Sequence, residues 1–78
     1  MELKEFIEKF ASQFEDTDAS EIKAGTEFRA LDEWSSLLAL SVIAMADEEY
    51  GVSLNGNDMR GARTVEDLYN IVKKRADV

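Results

Sequence analysis

Leu3, Phe6, Ile7, Phe10 and Phe14 recur at spacings of three and four, with Glu2, Lys4, Glu5, Glu8 and Lys9 between them. An apolar stripe with a charged back is the pattern of an amphipathic helix, and it predicts a first helix over about residues 2 to 15. From 16 to 34 the apolar positions thin out to Ile22, Phe28 and Leu31 among small and polar residues and Gly25. That stretch predicts a long ordered loop, fastened to the core by those three side chains.

Apolar density then returns. Ser35 and Ser36 offer hydroxyls to the free N–H groups of a helix start, no glycine or proline interrupts residues 37 to 50, and Gly51 supplies a C-terminal stop. Val52 and Leu54 anchor the chain beyond this second helix, Asn55-Gly56-Asn57-Asp58 reads as a polar turn, and Met59 with Ala62 fits one short helical turn. Thr64-Val65-Glu66-Asp67 places a capping hydroxyl and two acids ahead of Leu68, Tyr69, Ile71 and Val72. Lys73, Lys74 and Arg75 follow at the end of the last helix, where its dipole favours cations. No segment sustains the alternation of a strand. The predicted fold class is all-α: a small bundle of three main helices plus one short helix, with a long first loop, in one domain spanning residues 1–78.

The second helix is apolar on more than one side. At 100° per residue, Ala39, Val42, Ile43, Ala46 and Tyr50 form a stripe suited to face the first and last helices. Leu37, Leu40 and Ala44 fall near the opposite side, with Leu38 and Met45 on a flank. Two fates are open to that opposite side. It packs beneath the long loop, or it is kept free for a partner that comes and goes. Asp47, Glu48 and Glu49 end the helix, and an apolar face running into acids suits a basic-rimmed groove on another protein. The competing reading of those acids is a solvated face.

Composition narrows the chemistry. The 78 residues contain no cysteine and no histidine, which removes disulfides, thiolate chemistry, the usual general base and the commonest metal ligand. A formal charge of −8, from seventeen acids and nine bases, opposes binding to nucleic acid and favours basic protein partners. The N-terminus opens directly into a charged amphipathic pattern with no apolar run long enough for a signal peptide or a span, so a cytoplasmic monomer with no membrane contact is expected. A calcium loop is a poor match, because Asn55-Gly56-Asn57-Asp58 runs into Met59-Arg60-Gly61-Ala62-Arg63 where alternating oxygen ligands and a closing Glu are required. No metal site is expected.

Two adjacent serines at one helix start leave a hydroxyl to spare, since one suffices as a cap. Without histidine nothing nearby activates the second as a nucleophile, so any modification must come from an enzyme acting in trans. The run Phe28-Arg29-Ala30-Leu31-Asp32-Glu33-Trp34-Ser35-Ser36-Leu37, with Leu40, Val42, Ile43 and Asp47-Glu48-Glu49-Tyr50-Gly51-Val52 after it, resembles the acyl carrier protein family. That family's signature is Asp-Ser-Leu opening a helix that ends Glu-Glu-Phe, and the likeness extends over the whole chain to Thr-Val-Glu-Asp-Leu. The resemblance implies a non-catalytic carrier with 4′-phosphopantetheine, derived from coenzyme A, attached covalently to Ser36 by a phosphopantetheinyl transferase. It further implies acyl-loading, condensing and processing enzymes as partners, docking on basic or apolar surfaces in fatty acid, polyketide or related biosynthesis.

On that resemblance the partner-binding set is Trp34, Leu37, Leu38, Leu40, Ser41, Ala44, Met45, Asp47 and Glu48. The family shelters its acyl chain between helices, and the implied lining is Phe28, Ala46, Val52, Leu54, Met59, Ala62, Leu68 and Tyr69, side chains that an ordinary core needs as well. Ser35 departs from the family's usual Asp, and Leu38 and Ser41 stand where fatty-acid carriers tend to be acidic. Trp34 is similar to the Trp-Asp-Ser-Leu variants of carriers outside primary lipid synthesis, or else simply a ring covering the helix start. The alternative function is an unmodified helical adaptor of the same fold.

Overall fold

In the computed structural model, which describes residues 2–76, four helices run in the order α1 (Leu3–Ala11), α2 (Ser36–Tyr50), α3 (Gly56–Gly61) and α4 (Val65–Ala76). There is no strand among the described residues. α1 packs on both α4 and α2, α2 packs on α4, and α3 packs on α4. The expected bundle of three main helices and one short one is therefore what the chain forms.

α1 is shorter than its apolar period. Phe14 is buried as the stripe requires, but the helix ends at Ala11 and two tighter i→i−3 turns carry the chain on, Gln13 N–H to Phe10 O at 3.2 Å and Phe14 N–H to Ala11 O at 3.0 Å. Side chains compete for the carbonyls here: Ser12 Oγ and Gln13 Nε2 both donate to Lys9 O, at 2.7 and 3.2 Å. The loop from 12 to 35 contains two short 3₁₀ turns, Ala19–Glu21 and Phe28–Ala30. Ile22 and Phe28 are buried and Leu31 half-buried, as expected, but backbone bonds hold this loop too. Thr26 O and Ala24 O accept from the N–H groups of Val65 and Glu66, at 3.1 and 3.0 Å, and so satisfy two of the donors that a helix start leaves free on α4.

The polar run at 55 to 58 is the start of α3 rather than a turn. Asn55 Oδ1 accepts from Asp58 N–H and Asp58 Oδ2 accepts from Asn55 N–H, each at 3.0 Å, a reciprocal capping box. Asp58 also takes two bonds of 2.6 Å from the Arg75 guanidinium, which ties α3 to the end of α4. Arg75 additionally donates to Ser53 O at 3.2 Å.

The inward face of α2 differs from the expected stripe. Leu38, Val42, Met45 and Ala46 are buried, whereas Ala39, Ile43 and Tyr50 are half-buried. The buried arc is turned by roughly 70° from the predicted one, at 100° per residue. Leu38 and Met45, assigned to a partner face from the sequence, are only 8% and 4% exposed and belong to the core. α2 is apolar around so much of its circumference that its own pattern barely distinguishes one side, and contact with α1 and α4 selects the longer Leu38 and Met45 over Ala39.

Candidate functional site

The segment entering α2 is fixed by the side chains of Glu33 and Trp34. The Glu33 carboxylate accepts from Glu15 N–H at 2.8 Å, Asp16 N–H at 3.0 Å and Thr17 Oγ1 at 2.8 Å, so it clasps the chain just beyond α1. Desolvation works to raise the Glu33 pKa, but these hydrogen bonds outweigh it and hold the carboxyl below its ordinary range. The Trp34 ring lies edge-on to Phe28 at 4.9 Å between centroids and stacks near Phe14 and Phe10 at 6.2 and 6.4 Å. It is therefore a half-buried seam residue over the helix start, packed against the core. At the far end of α2, Gly51 takes a left-handed φ of 65° and Val52 N–H reaches back to Ala46 O at 3.2 Å.

The two serines divide the work at the helix start. Ser35 is extended (φ −154°, ψ 172°) and its Oγ accepts from Leu38 N–H at 3.3 Å, which makes it the N-cap. Ser35 thus performs the capping that an Asp would perform in the family signature, without the added negative charge. Ser36 is the first helical residue, is exposed, and its hydroxyl makes no hydrogen bond among the described residues.

A groove of about 510 Å³ begins at these serines and runs between α2 and α3. Ala39, Leu40, Ile43 and Met59 form its apolar lining, Arg29 and Arg60 its charged lining, and Trp34 and Gly56 complete the wall. Of the eight side chains expected to shelter a cargo, Met59 reaches this groove; Phe28, Ala46, Val52, Leu54, Ala62, Leu68 and Tyr69 are packed in the hydrophobic core. Arg29, Arg60, Ala39 and Ile43 are lining residues that the sequence did not single out. Ala39 and Ile43 were assigned inward, and the turn of α2 moves them to the groove edge. A second recess of similar size, lined by Asp16, Thr17, Glu21, Ala30, Leu31, Asp32 and Glu33, shares no residue with the first, and its acids repel phosphate.

Beside the groove, α2 presents a free stripe. Leu37 is 74% exposed and Leu40 62%, so neither packs beneath the long loop. Ala44, Asp47 and Glu48 are exposed and Ser41 half-buried, and together these residues continue the stripe along the helix at spacings of three and four. Glu49 is separate from it, because its carboxylate accepts from Lys9 Nζ at 2.8 Å and so links α2 to α1.

The bundle thus offers an unengaged serine at a helix start, with an apolar groove on one side and a free apolar stripe on the other. Residues 4–72 match the phosphopantetheine attachment site family, and the chain belongs to that family. Comparison with curated proteins and with solved structures gave no match. Members of the family attach 4′-phosphopantetheine covalently and are generally non-catalytic carriers. The site suits that group. An exposed hydroxyl accepts a phosphoryl group without breaking a structural bond, and the N-terminus of α2 favours the negative charge it brings. No helix of the described residues is long and apolar enough to cross a membrane.

Proposed function

We propose that Ser36 is the attachment residue and that the chain acts as an acyl carrier, presenting intermediates to enzymes of fatty acid, polyketide or related biosynthesis. The division of labour between the serines carries this reading: Ser35 is consumed as a cap, and Ser36 has an exposed, unengaged hydroxyl at the mouth of a groove. When attached, the arm supplies a terminal thiol that holds acyl groups as thioesters.

The residues of this chain then do three things. Ser36 supplies the oxygen that is esterified, and since the sequence contains no histidine, the modifying enzyme has to supply the base. Glu33, Trp34 and Ser35 hold the head of α2 in one place relative to the core, so the tether starts from a fixed point. Leu37, Leu40, Ser41, Ala44, Asp47 and Glu48 form the docking stripe, apolar near the tether and acidic beyond it, which suits partners with an apolar contact surface and a basic rim. Docking through this stripe delivers the cargo at high effective concentration to each enzyme in turn.

The test is intact mass after incubation with coenzyme A and a broad-specificity phosphopantetheinyl transferase. Wild type and Ser35→Ala are expected to gain the mass of the arm and Ser36→Ala to gain none. Stability should divide the other way, with Ser35→Ala losing about 0.5–1 kcal/mol as a cap is removed and Ser36→Ala staying within about 0.5 kcal/mol of wild type. A wild type that gains no mass, under conditions that modify a control carrier, leaves the adaptor reading in its place.

A further inference from the structure

The four arginines of this acidic chain fall into two kinds. Arg75 makes its paired bonds to Asp58, and Arg63 Nε lies 3.2 Å from Glu27 Oε1. Arg29 and Arg60 have no carboxylate partner among the described residues, and both line the groove that opens beside Ser36. They arrive from different elements, Arg29 from the second 3₁₀ turn and Arg60 from α3, so no single helical pattern puts them together. Arg60 donates to Asn57 Oδ1 and lies over Gly56, where an added Cβ would come within 3.3 Å of its Nη1. Glycine at 56 leaves space for that guanidinium at the groove wall.

In a chain of formal charge −8, two uncompensated guanidinium groups make this groove locally cationic. The anion nearest to hand is the phosphodiester that joins an arm to Ser36. It keeps its negative charge at every working pH, and its oxygens suit the planar donor fork of arginine. We infer that Arg29 and Arg60 hold the phosphodiester of the Ser36-linked arm, so that the arm starts along the groove between α2 and α3 instead of projecting into solvent. This rests on Ser36 being the attachment residue. Ala39, Ile43 and Met59 then provide an apolar floor for the aliphatic part beyond the phosphate. The arrangement gives the carrier a retracted resting position, and a partner releases the arm by drawing the phosphate away from the two arginines.

The experiment follows the arginine Nε–Hε signals of ¹⁵N-labelled protein through conversion from the unmodified to the arm-bearing form, with intact mass recorded on the same samples. Signals of Arg29 and Arg60 are expected to shift with conversion and those of Arg63 and Arg75 to stay, with the shifts shrinking as salt is raised. The arm should also raise the melting temperature of wild type, and Arg29→Gln/Arg60→Gln should lose that increment while keeping a wild-type amide spectrum before conversion. Arg29→Lys/Arg60→Lys, which keeps the charge, should retain part of it. A full mass gain with unmoved Arg29 and Arg60 signals overturns the inference and leaves the attachment site intact. Signals that move only once a carboxylate-ended cargo such as succinyl is loaded overturn it as well, and assign the arginines to the cargo. An absence of mass gain on wild type overturns the attachment reading itself, and this inference with it.

Discussion

Gly51 shows how one residue can set the length of an element. Its φ of 65° lies in the left-handed region, and apart from its two chain neighbours no described residue comes within 4 Å of where a Cβ would stand. Substitution there therefore meets a backbone penalty alone. Gly51→Ala is expected to cost about 1 kcal/mol, read as a lower denaturation midpoint with unchanged denaturant slope. A change in slope would mean that the compactness of a state had altered instead. At the other end of α2, Ser35 and Ser36 differ by a single position along the chain, yet one oxygen faces the Leu38 N–H and the other faces solvent. Their chemistry is identical and their roles are set by backbone angle: the extended Ser35 points its hydroxyl back over the first turn, and the helical Ser36 cannot.

Among the elements, α3 has the least of its own to hold it. It is six residues long with a glycine at each end, and only Met59 of its residues is buried. Its place depends on Asp58, which closes the capping box and takes both bonds from Arg75. The Arg75 hydrogen bonds, ahead of a smaller opposing desolvation, hold the Asp58 carboxyl below its usual range. Asp58→Asn keeps a capping oxygen but removes the charged pair, and Asp58→Ala removes both. The expected losses are about 0.5–1 and about 1–2 kcal/mol respectively. Amide exchange in α3 should accelerate before that in α1 or α4, because α3 forms one wall of the groove without a large buried face of its own. Equal acceleration throughout would show that α3 opens only with the whole bundle.

Charge acts on the whole molecule. Among the described residues four carboxylates are held below their ordinary pKa: Asp18 by the Ser20 N–H, Asp67 by the N–H groups of Thr64 and Arg63, Asp58 by Arg75, and Glu33, against desolvation, by Thr17, Glu15 and Asp16. Each binds its proton less readily folded than unfolded. Their stabilisation is complete above the unfolded values of about 4 and is lost as pH falls through the lower folded values. The melting temperature is therefore expected to hold to about pH 4.5 and to fall below about pH 4, and a value at about pH 2.5 that matches neutral pH would show that these hydrogen bonds add nothing.

The existence of the helices, the stop at Gly51, the cap at Thr64 and the pair of serines could all be read along the chain, because each depends on neighbours within about one helical turn. The Ser36-Leu37 signature was legible for the same reason, whereas the sequence left Leu37 and Leu40 open between cover by the long loop and exposure, and the fold leaves both exposed. What the sequence misplaced or left open was decided by contacts between distant segments. The inward side of α2 depends on α1 and α4, so Leu38 and Met45 enter the core while Ala39 and Ile43 move to the groove. The long loop closes the start of α4 through Ala24 and Thr26, whose carbonyls carry no mark in the sequence. Arg29 and Arg60, thirty-one positions apart, share a groove for want of nearer carboxylates. Local hydrogen bonding and periodicity are properties of a short stretch of chain, whereas the rotation of a helix and the meeting of two side chains exist only once the core has packed.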